Sequence, residues 1–211
     1  IYRRIFQQQN QLRSITHLLF LFTQFTAARK SKEISTFAWE KPIQKPENMI
    51  SIIDYFEERV KKYGSHTLIW EKQDGQFRPT TYQEAHEKVL TLAAGLMTMG
   101  IEKGDRLALM SEGRNYWLIS ELAMLYCGAI NVPLSTKLEA DQDLIFRLSH
   151  SETKVIFASK QQLPKIRAVL KELPNIEKIV VLDDISKPGD QEILLSEVIR
   201  KGEDFRANHA D

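Results

Sequence analysis

Gly104–Ser135 reads GDRLALMSEGRNYWLISELAMLYCGAINVPLS, and its grammar is strand, turn, helix, stop, strand. Arg106–Met110 is an apolar strand, Ser111–Asn115 a polar turn, Tyr116–Tyr126 an apolar helix, Gly128 its stop and Ala129–Leu134 a second strand. Both strands are continuously apolar, the pattern expected of parallel strands covered by helices on both sides. A helix between two such strands is the crossover that a parallel pair requires.

The alternation continues outward in both directions. Downstream, a helix around Asp141–His150 leads into strand Val155–Ala158, a helix over Leu163–Leu173 leads into strand Lys178–Leu182, and a last helix covers Glu192–Arg200. Upstream, Ile50, Ile53, Phe56 and Val60 recur at helical spacing until Gly64 stops the helix. Thr67–Lys72 and Gln76–Thr80 flank Gln73-Asp74-Gly75, a hairpin signal. Thr81-Tyr-Gln-Glu84 is a capping box opening a helix that carries Val89, Leu92, Ala93, Leu96 and Met99 on one face and ends at Gly100. Strands and amphipathic helices in this rhythm predict an α/β fold: a doubly wound, mainly parallel sheet with helices on both faces, plus a small hairpin near the N-terminus.

The 211 residues suffice for one large domain or for a domain with an appendage. Residues 1–48 carry a net charge of +5 and the remainder −4, so the body is no basic platform for nucleic acid. Ile15–Phe25 is apolar and follows Arg3, Arg4 and Arg13, but it is too short to span a bilayer and is interrupted by His17, Thr23 and Gln24. Residues 1–48 therefore read as a basic, partly apolar extension and linker, closed by Lys41-Pro42 and Lys45-Pro46; an amphipathic arm on a membrane or partner is the second reading, a secretory signal the last. Residues 49–211 form the domain proper. The single cysteine, Cys127, excludes an internal disulfide and suits a reducing cytoplasm; at the end of an apolar helix it reads as a packing residue.

The glycines are scattered. Gly64, Gly100, Gly128 and Gly202 look like helix stops, Gly75 like a turn and Gly104 like a loop before a strand. Neither GxGxxG, nor GxxxxGK[ST], nor GxSxG occurs. His66, His86 and His150 fall at a helix–strand junction, on a polar helix face and at a helix end, and no HxxxH or CxxC spacing supports a metal. Asp183-Asp184 ends a strand, where α/β sites form, but a solvated turn before Pro188-Gly189 accounts for the pair. Ser111–Asn115 is the best internal candidate for a site, because amides at a helix start can receive an anion. The competing reading has Ser111 or Asn115 capping the helix and Arg114 paired with a carboxylate.

Several segments, in order, resemble the AMP-forming acyl-CoA synthetases of the adenylate-forming superfamily. Thr81-Tyr82 with the helix ending Ala94-Gly95-Leu96 resembles the family's T-Y-x-E helix, and Gly100-Ile-Glu-Lys-Gly-Asp-Arg106 its G-[IV]-x-x-G-D-R approach to a strand. Ser111-Glu-x-Arg-x-x-Trp117 is similar to the S-E-N-R-x-E-W turn of the long-chain branch, with Gly113 for Asn and Tyr116 for Glu. Cys127-Gly-Ala-Ile-Asn-Val-Pro-Leu134 and Leu148-Ser-His-Ser-Glu-Thr-Lys154 match later stretches.

The resemblance implies the N-terminal subdomain of an ATP-dependent acid–CoA ligase, with fatty acid as substrate: acid and ATP give acyl-AMP and pyrophosphate, and the acyl group passes to CoA. ATP, Mg and CoA are thereby implied for the parent enzyme, with none expected to bind tightly here. The family's Ser/Thr/Gly-rich loop ending P-K-G is absent from this sequence, so no catalytic, cofactor-binding or metal residue transfers, and the segment alone is expected to be inactive. The implied partners are the remainder of the enzyme and the fatty acid, in the cytoplasm with room for peripheral membrane contact; no nucleic acid is expected, and self-association through an exposed apolar face is. A self-standing, non-catalytic α/β interaction module is the alternative, and an unrelated doubly wound enzyme is disfavoured by the missing glycine fingerprint.

Overall fold

The computed structural model describes residues 50–209; the expectations for residues 1–48 lie outside them. Helix α1 (Ile52–Tyr63) starts at a capping box: the Ser51 hydroxyl accepts the Asp54 N–H, and the Asp54 carboxylate accepts the Ser51 N–H, each at 3.0 Å. Strands β1 (Thr67–Gln73) and β2 (Gln76–Thr81) pair antiparallel with Gln73 opposite Gln76, so the turn is only Asp74-Gly75. Both turn residues have positive φ, 52° and 81°, the geometry a two-residue hairpin favours. Helix α2 (Tyr82–Thr98) begins at the Thr81–Glu84 capping box and stops at Gly100, whose φ is 78°.

The main sheet holds β3 (Arg106–Met110), β4 (Ile130–Pro133), β5 (Val155–Ala158), β6 (Lys178–Val181) and β7 (Glu192–Leu194) in the order β4-β3-β5-β6-β7, every pair parallel. Connecting helices are α3 (Asn115–Tyr126), α4 (Gln142–His150) and α5 (Leu163–Val169), with α6 (Leu195–Asn208) last.

Strand residues alternate between two cores, as the pleat requires. Leu107, Leu109, Val155, Phe157 and Val180 join α1, α2, α3 and α6 in one cluster. Ala108, Met110, Ile156, Ala158, Ile179 and Val181 join α4 and α5 in the other. The sheet is thus doubly wound, with helices on both faces.

Three expectations need correction. Glu192–Arg200 is not one helix: Glu192–Leu194 pairs with β6 as a fifth strand, and α6 follows it. The Glu-Ile-Leu-Leu run is too short for its period to show. Gly202 stops nothing; it lies inside α6, packed on α2. Gly64 does stand at the C-cap of α1, though with right-handed φ, −42°, and the Tyr63–His66 turn follows it. Finally, β4 is an edge strand with Ile130 52% exposed, so its apolar run does not mean cover on both sides.

Candidate functional site

The chain runs from β3 to β4 on one side and then crosses to β5 on the other. That reversal is the topological switch point, and α/β ligands bind beyond the carboxyl ends of the strands there. The loops concerned are Ser111–Arg114 after β3 and Ser159–Gln162 after β5. Ser111–Asn115, the best candidate in the sequence, therefore sits where its strand–turn–helix pattern implies.

Its chemistry is self-contained. Arg114 stands at the N-cap of α3 with no side-chain cap bond, and its Nη1 donates to Asp183 Oδ1 at 2.7 Å. Neither Ser111 nor Asn115 caps the helix. The Ser111 hydroxyl donates to the Glu112 carbonyl at 3.0 Å, and the Asn115 Nδ2 donates to Thr80 Oγ1 at 2.9 Å. The cap comes from the hairpin: Glu71 Oε1 accepts the Asn115 N–H at 3.4 Å. A long-range carboxylate in place of a local hydroxyl leaves no signature in sequence, so this role was not legible there.

Asp183 is half-buried rather than solvated. Its second oxygen accepts the Lys160 N–H at 2.7 Å, so one carboxylate ties the loop after β6 to the loops after β3 and β5. Asp184 instead accepts from the Ser196 hydroxyl at 3.4 Å. Across the switch point, Gln162 Nε2 donates to Glu112 Oε1 at 2.6 Å. Burial would raise the Glu112 carboxyl, but hydrogen bonding from Gln162 and Ser159 outweighs it and holds the group below its ordinary value.

These groups do not fit a triphosphate. Two carboxylates, Glu71 and Glu112, flank the helix start, and the first one occupies its leading amide. A neighbouring cleft of about 490 Å³ at the ends of β5 and β6 is lined by Lys160, Leu163, Pro164, Asp184 and Lys187. Among the described residues neither lysine is in an ion pair, but Asp184 opposes them across an open cleft. Arg167 on its wall is already held by Glu192 through bonds of 2.6 and 2.7 Å.

His66, His86 and His150 have structural roles. His86 does not face solvent, as its polar neighbours suggest: its Nε2 lies 2.9 Å from Glu57 Oε1, with the Phe56 and Tyr126 rings about it. His150 stacks on Phe146, and His66 closes the turn after α1. Cys127 is half-buried with its thiol directed to the Ala93 carbonyl at 3.3 Å, and burial pushes it up to about 11. Among the described residues no group of three or more His, Cys, Asp or Glu is placed to hold a metal, and no helix is long and apolar enough to cross a membrane.

The family model for AMP-binding enzymes matches residues 56–208, well over half of the chain. The chain belongs to the AMP-binding enzyme family. A long-chain-fatty-acid–CoA ligase of Thermus thermophilus is 25% identical over 140 residues, covering 66% of this chain and 26% of the relative. A 4-hydroxybenzoate–CoA/benzoate–CoA ligase of Rhodopseudomonas palustris is 30% identical over 111 residues, covering 53% and 20%. Among solved structures, an anthranilate CoA ligase in complex with anthranoyl-AMP superposes with TM-score 0.63 at 22% identity, over 70% of this chain and 27% of that one. The coronafacic acid ligase of Pectobacterium brasiliense gives 0.65 at 21%, over 72% and 29%. The fold is that of an adenylate-forming enzyme domain, and the chain spans about a quarter of the length of these relatives.

Proposed function

We propose that these residues are the N-terminal scaffold of an AMP-forming ligase that activates a fatty acid and transfers it to CoA. The observation that carries this reading is the family match over residues 56–208, with the Ser111–Trp117 turn built at the switch point of the sheet. Relatives named for long-chain fatty acids support the acyl class, although an aromatic-acid ligase is also similar.

Within that enzyme, the residues described here order the loops beyond the sheet and exclude water from beneath them. Asp183 joins three of those loops through Arg114 and the Lys160 amide, and Glu112–Gln162 closes the gap between β3 and β5. ATP with Mg would supply the adenylyl group and CoA would accept the acyl group, but none of the described residues fits the phosphates. Electrostatic stabilisation of phosphoryl transfer needs preorganised donors, and the Arg114 guanidinium and the Asn115 and Lys160 amides are already held by carboxylates of the chain itself. The segment alone is therefore inactive, its partner is the remainder of the enzyme, and its place is the cytoplasm.

The test is to read the coding sequence continuous with Asp211 and assay the product of that frame. A frame that supplies a Thr/Ser/Gly-rich phosphate loop, and a product forming acyl-CoA from fatty acid, ATP and CoA, upholds the proposal. A product that makes no acyl-adenylate with any carboxylic acid sinks it.

A further inference from the structure

The loop that carries β4 into α4 hangs on one distant side chain. Ser135–Asp141 is largely exposed, and its own hydrogen bonds are local: the Lys137 N–H donates to Ser135 Oγ and the Leu138 N–H to the Ser135 carbonyl, each at 3.2 Å. Its apolar anchor is Leu138, only partly buried against the core of α4 and α5. Among the described residues, its hydrogen bonds to a distant segment all come from Lys165 of α5, whose Nζ donates to the Thr136 carbonyl at 3.0 Å and the Leu138 carbonyl at 2.8 Å. Glu139 approaches that ammonium only to 3.7 Å and is 73% exposed, so the carbonyls rather than the acid seat it. Gln162, three residues before Lys165, holds Glu112 after β3 at 2.6 Å. The start of α5 therefore reaches the loops after β3 and β4 together, and those strands are neighbours in the sheet.

We propose that Lys165 is a latch: its ammonium holds the β4–α4 loop closed, and withdrawing it lets that loop open while the sheet stays folded. An ammonium donating to a carbonyl makes a charge-assisted bond, stronger than a neutral one. Here two such bonds converge on a side chain only 23% exposed. Little else resists opening, since segments with few buried apolar contacts open locally at a fraction of the global cost. The sheet takes no part: β4 ends at Pro133, and the Leu134 N–H is held separately by the Leu109 carbonyl at 2.9 Å. That the loop borders a ligase crevice rests on the proposed function above, and in that enzyme Lys165 is a positioning residue rather than a catalytic one. The latch itself does not depend on that reading.

The experiment follows hydrogen exchange by NMR in the full 211-residue chain. Lys165→Met keeps an apolar stem and removes the donors; exchange at the Lys137 and Leu138 amides is expected to quicken about tenfold, with β3 and β5 unchanged. Glu139→Gln is expected to leave both amides as they were. In Lys165→Ala, propylammonium should restore slow exchange by supplying the missing stem and head, whereas tetramethylammonium, which has no N–H to donate, should not. Unchanged loop exchange in Lys165→Met overturns the proposal. So does a quickening shared equally with β3 and β5, which would make Lys165 a general stabiliser, and so does an equal response to the two salts. The unmutated chain supplies a check that needs no variant: the Lys165 ammonium protons should exchange with water more slowly than those of exposed Lys137, and equal rates overturn the latch. No step uses ATP, CoA or an acid, so a failed ligase assay with these results intact would sink the catalytic reading alone.

Discussion

Gly95 of α2 and Gly202 of α6 meet where the two helices cross with no room for a side chain. A Cβ on Gly202 would stand 1.9 Å from the Thr91 carbonyl oxygen and 2.8 Å from the Gly95 nitrogen. A Cβ on Gly95 would stand 2.1 Å from the Val198 carbonyl oxygen. Both obstacles are backbone, so neither can step aside as a side-chain tip would. This crossing seats α6 against the sheet and buries Val198 and Leu195 in the core shared with β3, β5 and β6.

Gly202→Ala is accordingly destabilising although alanine favours helix. The helix-propensity gain is about 1 kcal/mol, while forcing the helices apart costs about 1–3 kcal/mol or more in such overpacked sites. A net loss of about 1 kcal/mol, and up to about 2, is expected, read as a lower denaturant midpoint with unchanged slope. Gly113→Ala is the control, since a Cβ there meets nothing within 4 Å.

The Arg114–Asp183 pair is half-buried on both sides, at 24% and 27% side-chain exposure, so it is screened less than a surface pair. Asp183→Ala removes two partners at once, the guanidinium and the Lys160 amide, whereas Arg114→Ala removes one. We expect losses of about 2 and about 1 kcal/mol respectively, with a double-mutant cycle showing favourable coupling. Equal losses would place Asp183 outside the role assigned to it.

Glu57 on α1 joins α2 and α3 through one oxygen, which accepts the Tyr126 phenol at 2.5 Å and lies 2.9 Å from His86 Nε2. The Tyr126 hydrogen bond, with His86, outweighs burial and lowers the Glu57 carboxyl below its ordinary value. A lowered carboxyl stabilises the fold above its unfolded value of about 4.5 and loses that contribution as pH falls through its folded value. Tyr126 is raised, by burial first and the Glu57 bond second, so its share is present below the unfolded value and fades as pH rises through the folded one. Tyr126→Phe should cost about 1 kcal/mol at neutral pH and bring the Glu57 carboxyl upward, followed by carbonyl NMR through the acid range. An unmoved Glu57 titration would show that the phenol is not its partner.

Cys127 should be a sluggish thiol. With its proton held up to about 11, alkylation by iodoacetamide at neutral pH is expected about a hundredfold slower in the folded chain than in denaturant. Equal rates would show a thiol more open than its contact with Ala93 allows.

Most of the parallel sheet was legible because its strands are continuous apolar runs and its helices carry periodic faces. Arg106–Met110, Val155–Ala158 and the Thr81–Glu84 box lie where their patterns place them. What escaped depends on contacts between distant segments. Three-residue β7 shows no period, and Gly202 looks like any other glycine until α2 lies against it. The switch-point turn was found, but Glu71, Gln162 and Asp183 lie 44, 50 and 69 residues from the groups they bind, beyond any local motif.

The central claim is that these residues scaffold an adenylating site without containing it. The most direct measurement incubates the purified 211-residue chain with radiolabelled ATP, magnesium and a long-chain fatty acid, then CoA, and follows pyrophosphate, acyl-adenylate and acyl-CoA. The account predicts none of the three above the protein-free blank. Sustained pyrophosphate release that depends on the fatty acid would contradict it and place the phosphate site within the chain itself.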